Sequence, residues 1–140
     1  MVDILTPEAR SERMSRIRGR DTKPELVLRK ALHAAGFRYR LHAPGLPGRP
    51  DLVFPKWGAA VFVHGCFWHQ HKNCRIANVP GSNTAFWQAK FQANKRRDAR
   101  AIRALRAVGW RVAVVWECQL SGAKRTRMTV ARVRRFLTER

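Results

Sequence analysis

The run Val112-Ala113-Val114-Val115-Trp116 has no charged or hydrogen-bonding polar residue at four successive positions before its terminal tryptophan. A strand with one face in water alternates apolar and polar residues, so an unbroken run of this length reads as a strand covered on both faces. The segment before it, from about Ser82 or Asn83 to just short of Gly109, has helical spacing, with Phe91, Ile102 and Leu105 on one stripe and Val108 at its end. Further upstream, Asp51-Leu52-Val53-Phe54 and Ala59-Ala60-Val61-Phe62-Val63 flank the turn Pro55-Lys56-Trp57-Gly58 and predict an antiparallel hairpin. Hairpin, long helix and buried strand together make a crossover unit, which demands a sheet with helices on it.

The remaining segments fit that frame. Thr6 and Pro7 suit the start of a helix over residues 7–18, whose apolar positions, Ala9, Met14 and Ile17, are sparse. With so little to bury, this N-terminal segment (about 1–20) is expected to contact DNA as much as protein. Thr22-Lys23-Pro24-Glu25 has the capping-box form, opening a helix with Leu28, Ala31, Leu32 and Ala35 inward and Gly36 as its stop. Phe37 to Leu41 alternates with period two and predicts a strand. A last basic helix, from about Thr126 to Glu139, packs through Val130, Val133 and Leu137. The expected architecture is α/β: one domain over residues 1–140, with a mixed β-sheet flanked by helices.

Charge narrows the function. Lys and Arg number 29 against 9 Asp and Glu, a formal net charge of +20. An arginine-rich composition explains the choice of arginine but not the shortage of acids, and such an excess favours a polyanionic partner. No segment reads as a basic amphipathic membrane anchor, a membrane span or a secretory leader, so the expected partner is nucleic acid and the expected compartment the cytoplasm. Three cysteines, Cys66, Cys74 and Cys118, argue against a disulfide framework there.

The chemistry concentrates in His64-Gly65-Cys66-Phe67-Trp68-His69-Gln70-His71-Lys72-Asn73-Cys74. Cys66, His71 and Cys74, closed by Cys118 at the end of the buried strand, make a four-ligand set suited to structural zinc (Zn2+). His64 and His69 remain for acid–base work. Asp98, on the apolar stripe of the long helix, needs a partner, either a histidine whose tautomer it fixes or one of the arginines. Asp51, following Pro50 at the mouth of a strand, reads as a turn residue or as an oxygen ligand for a divalent cation. Phe67 and Trp68 in a polar loop, with Phe86 and Trp87 at a helix start, suit core packing or stacking against bases, and burial of both Phe67 and Trp68 is not expected. Trp57, Trp110 and Trp116 are assigned to packing.

Four segments together resemble the very short patch repair endonucleases, Vsr-type T:G mismatch nickases. They are Arg20-Asp21-Thr22 with Glu25, Leu46-Pro47-Gly48-Arg49-Pro50-Asp51, His64-Gly65-Cys66-Phe67-Trp68-His69, and Gly109-Trp110-Arg111 through Val115-Trp116-Glu117-Cys118. The resemblance runs from about Arg10 to about Gly122. It implies a restriction-endonuclease-like (PD-(D/E)xK-type) core with a structural zinc site, and magnesium-dependent (Mg2+) nicking of double-stranded DNA on the 5′ side of the thymine in a T:G mismatch left by 5-methylcytosine deamination. Carried onto this chain, Asp51 would be the metal-binding carboxylate and Val63 a ligand through its carbonyl. His64 would hold a water on the metal, His69 would be the general base with Asp98 supporting it, and Glu25 would sit nearby. Phe67, Trp68 and Trp87 would wedge into the duplex beside the mismatch, and Met14 would reach in from the minor groove. Cys66, His71, Cys74 and Cys118 would bind zinc. Restriction-type cores usually carry an acid-x-Lys triplet on the second strand. Phe62-Val63-His64 stands there instead, a departure the family shares. The stretch between His71 and Cys74 is one residue longer than the family pattern. A monomer is expected, since one nick needs one active site. Two alternatives remain: another nuclease of the same fold, restriction-type or structure-specific, or a zinc-stabilised DNA-binding module without catalysis.

Overall fold

The computed structural model describes residues 21–139. The helix expected over residues 7–18, with Met14 on it, lies outside the described residues. Thr22 caps the first described helix, α1 (Lys23–Ala34), its hydroxyl accepting from the Glu25 N–H, with Pro24 in the opening turn. Leu28 and Leu32 are fully buried, as the apolar stripe predicts. The strand expected over residues 37–41 is shorter: β1 covers only Arg40–Leu41. The helix stop accounts for this. Gly36 takes a positive φ of 98°, its N–H bonds to the His33 carbonyl, and the Phe37 N–H bonds to the Leu32 carbonyl. Phe37 is therefore still tied to the helix end, and its ring packs edge-on against Phe54 rather than pairing in the sheet.

β2 (Leu52–Phe54) and β3 (Ala59–His64) form the predicted hairpin across a single 3₁₀ turn, Pro55–Trp57, and β1 pairs antiparallel with β2. The long helix α2 (Thr84–Ala107) then crosses over, and β4 (Arg111–Trp116) returns parallel to β3. Among the described residues the sheet has four strands in the order β1-β2-β3-β4. A 3₁₀ turn, Glu117–Leu120, leads to α3 (Ala123–Thr138), which begins one turn before the expected Thr126. The extra turn is held at Gly122, whose carbonyl accepts both the N–H and the hydroxyl of Thr126. Val108, expected to close the stripe of α2, is instead 69% exposed, because the helix has ended and the chain is turning at Gly109.

Alternate residues of the central strands supply two separate cores. Ala59, Val61 and Val115 face α1 and α3, packing with Leu28, Leu32, Val133 and Leu137. Phe62, Val112 and the half-buried Val114 face α2, packing with Ala101, Leu105 and Ile102. Both faces of the sheet are thus covered, as the apolar run of β4 requires. One close approach sets the second core: Gly48, at φ +73°, has no room for a Cβ, which would stand 2.5 Å from the Ala101 Cβ and 3.2 Å from the Phe62 ring. The loop entering β2 thereby lies directly on α2. Gly48→Ala is expected to cost about 1–3 kcal/mol through overpacking and the strained φ, read from urea unfolding midpoints.

Candidate functional site

Three clusters meet where β3 and β4 end side by side, with His64 in register with Trp116. A cavity of about 810 Å³ opens there, and Asp51, Val63, His64, His69, Asp98, Phe67 and Trp68 line it together with Arg49 and Arg97. Every cavity residue just named except Arg49 and Arg97 was singled out in the sequence.

Asp51 sits just before β2, and its Oδ2 accepts the Val63 N–H at 2.6 Å. Removal from water pushes its carboxyl up to about 8. The Val63 N–H pulls the other way, and Glu25 alongside raises it further by a hydrogen bond and by its charge. A carboxyl so placed lacks positive charge, and with the Val63 peptide beside it offers hard oxygen donors of the kind a divalent cation takes. Glu25 itself is 1% exposed and stands behind Asp51, off the cavity wall. Three donors converge on it: the Asp21 N–H at 3.1 Å, Arg29 Nη1 at 3.1 Å, and His42 Nε2 at 2.9 and 3.0 Å from its two oxygens.

His69 and Asp98 are joined, Nδ1 to Oδ2, at 2.5 Å, so of the two pairings open to Asp98 in the sequence the structure selects the histidine. With Nδ1 donating, the basic nitrogen of His69 is Nε2. His64 and His69 stack with centroids 3.9 Å apart and planes 4° from parallel.

The third cluster is Cys66, His71, Cys74 and Cys118, whose donor atoms all lie within 4.8 Å of one another. His71 Nδ1 is 3.7 Å from Cys66 Sγ and 3.4 Å from Cys118 Sγ. Zinc–sulfur and zinc–nitrogen bonds of about 2.3 and 2.1 Å put tetrahedral donors about 3.6 Å apart, so the set has the size and chemistry for zinc. Burial pushes the Cys66 thiol up to about 12, and the neighbouring Cys118 and Cys74 sulfurs add to the rise. The extra residue between His71 and Cys74 is absorbed by a turn in which Asn73 takes φ +58°.

Phe67 and Trp68 are not both buried, as expected. Trp68 and Trp87 are buried, with Phe91, in one cluster, and Phe67 stays half-buried with its ring edge-on to Trp68, Trp87 and Phe91. Lys90 lies over the Trp68 ring at 5.9 Å. Trp57 and Trp110 pack against the cores as assigned. Trp116 does more than pack: it stacks on His71 at 4.2 Å and meets His64 edge-on.

Sequence reasoning missed three positioning groups. Asn94, buried on α2, donates to the Trp68 carbonyl at 3.0 Å. It stands on the stripe Trp87, Phe91, Asn94, Asp98, Ala101 and Leu105, so its place among apolar residues was a usable signal. Glu117, next to Cys118, accepts the Cys66 N–H at 3.1 Å. His42 is the third, and only its distance from Glu25 in space reveals it.

The family model for the DNA mismatch endonuclease Vsr matches residues 2–75. The type II nicking enzyme V.XorIIP of Xanthomonas oryzae pv. oryzae is 51% identical over 121 residues, 86% of this chain and 88% of the relative. The type II nicking enzyme V.NmeAIP of Neisseria meningitidis is 44% identical over 120 residues, covering 86% and 85%. The DNA mismatch endonuclease Vsr of Escherichia coli is 42% identical over 125 residues, covering 89% and 80%. The chain belongs to the DNA mismatch endonuclease Vsr family. Among the described residues no helix is long and apolar enough to cross a membrane.

The Asp51 shift gives a signed prediction. A carboxyl held near 8 in the fold but near its ordinary value when unfolded binds more protons folded than unfolded, so its contribution to stability is intact below about pH 4 and lost as pH rises towards 8. In metal-free buffer, Asp51→Asn should therefore gain stability over the parent from pH 5 to pH 8.5, as read from urea midpoints. A constant difference across that range would contradict the charge assigned to this site.

Proposed function

We propose that this DNA mismatch endonuclease nicks one strand of double-stranded DNA on the 5′ side of the thymine in a T:G mismatch, beginning very short patch repair, and that it does so as a monomeric single domain with a restriction-endonuclease-like core. The observation that carries the reading is the shared cavity: Asp51, Val63, His69 and its partner Asp98 all line it, together with Phe67 and Trp68 of the aromatic cluster. Asp51 and the Val63 carbonyl would hold magnesium, which when bound supplies Lewis-acid polarisation of the scissile phosphate. His69 Nε2 takes the proton from the attacking water as its oxygen bonds to phosphorus and the bond to the 3′ oxygen breaks; the 3′ oxygen takes a proton from solvent, leaving a 5′-phosphate and a 3′-hydroxyl. Asp98 stabilises the resulting imidazolium and keeps the Nδ1–H tautomer beforehand, and His64, stacked on His69, holds the ring plane.

Selection of the mismatch follows from the cost of opening a base step, a few kcal/mol, which is lowest where pairing is already weak. Phe67 would enter the duplex with Trp68 and Trp87 behind it, and Met14 would approach from the other groove. The excess of arginine and lysine supplies affinity that falls steeply with salt. Cys66, His71, Cys74 and Cys118 would hold zinc, whose bonds would fix the loop carrying His69 where it leaves β3 at His64.

A labelled duplex with one T:G pair tests the reading beside its fully paired counterpart, with and without magnesium. A single nick 5′ to the mismatched thymine is expected, absent from Asp51→Ala protein and reduced about 10²–10⁴-fold in His69→Ala with duplex binding unchanged. Equal cutting of paired DNA, or loss of binding with His69, contradicts it. Protein purified without added metal should contain one zinc per chain, and Cys118→Ser should lose that zinc and melt at a lower temperature; a metal-free parent of full stability contradicts the zinc assignment.

A further inference from the structure

We propose that His42 is a positioning residue of the metal centre, fixing the carboxyl groups of buried Glu25 and half-buried Asp51 against each other. The inference deepens the reading of Asp51 as a metal ligand and rests on it. His42 follows β1 and takes a left-handed conformation at φ +45°. A residue with a Cβ adopts this reluctantly and keeps it where its surroundings hold it. Two holds are present. Its backbone N–H donates to the Asp51 carbonyl at 3.1 Å, extending the β1–β2 ladder beyond the Leu41–Leu52 pair. Its Nε2 reaches both oxygens of Glu25, at 2.9 and 3.0 Å. One residue thereby spans the strand that carries Asp51 and the helix that carries Glu25.

Glu25 cannot be left to place itself. It is 1% exposed and lies within hydrogen-bonding reach of the Asp51 carboxyl, which its charge disturbs. Arg29 and the Asp21 N–H both meet its Oε2, so His42 is the donor that also engages Oε1 and stops the carboxyl turning about its bond. Partners one layer outside a metal ligand commonly alter affinity or activity 10–100-fold, roughly the range expected here. The side chains of Asp21, Glu25 and His42 lie close enough to resemble a metal site of their own, but Arg29 pairs with both carboxylates and already occupies that role.

The test uses the full chain and manganese alone, followed by electron paramagnetic resonance, with nicking rate against magnesium measured in parallel. His42→Leu, which removes the donor, should weaken manganese binding about 10-fold or more and raise the magnesium needed for half-maximal nicking to match, with T:G duplex affinity in the absence of metal unchanged. His42→Gln, whose amide still donates, should stay within about 3-fold of the parent. Glu25→Gln should reproduce the leucine effect, and the two substitutions combined should add little to either alone. Manganese affinity unchanged in His42→Leu overturns the proposal, as does equal impairment of leucine and glutamine variants or full additivity with Glu25→Gln. The last comparison still decides if His42→Leu folds poorly, with His42→Gln in its place expected to be neutral in both backgrounds. A parent protein that binds manganese but leaves T:G duplexes uncut would refute the nicking reading while leaving the His42 result to be judged on manganese.

Discussion

The parallel pairing of β3 with β4 is the constraint on which the rest depends. Their six registered pairs run from Ala59–Arg111 to His64–Trp116, so both strands end at the same level and in the same direction. Whatever follows each strand must meet there. After β3 comes the loop with Cys66, His69 and His71, and after β4 the turn with Glu117 and Cys118. The meeting is specific: the Cys118 N–H donates to Cys66 Sγ and Glu117 accepts from the Cys66 N–H. Parallel strands need a long crossover between them, and here α2 is that crossover. It therefore lies over the sheet beside the same strand ends, and Asp98, midway along it, comes to rest against His69.

Much of this was legible from pattern because burial on two faces leaves a plain trace. The run Val112 to Trp116 required helices on both sides of the sheet, and the split of Val61 and Val115 from Phe62 and Val112 into separate cores realises it. Asp98 was conspicuous because a carboxylate on the stripe of Phe91, Ile102 and Leu105 needs a partner. Trp87 shows the limit of the same logic. The features that suggested stacking on bases, an aromatic side chain near a helix start among cations, equally describe a residue packed against Trp68 and Phe91, and spacing does not tell the two apart.

His42 and Glu117 were not legible for a different reason. Each acts through a contact between residues far apart in the chain, His42 with Glu25 and Glu117 with Cys66, and neither interrupts a local pattern. The short β1 was obscured locally instead. Period-two alternation over Phe37 to Leu41 is real, but Phe37 obtains its burial by folding back on the end of α1, and a helix stop and a strand make the same request of that side chain.

The span from Cys66 to Cys118 has a consequence for how the protein is made. Cys66 meets two of its partners, Glu117 and Cys118, only after 51 and 52 further residues, with all of α2 between. A chain emerging from the ribosome exposes Asp51, His64 and His69 well before the elements that hold them in place exist. Contacts of such sequence separation form late and slowly, because the intervening loop must be closed first. An unfinished or prematurely ended chain thus carries Asp51, His64 and His69 without the helix and strand that bring them together.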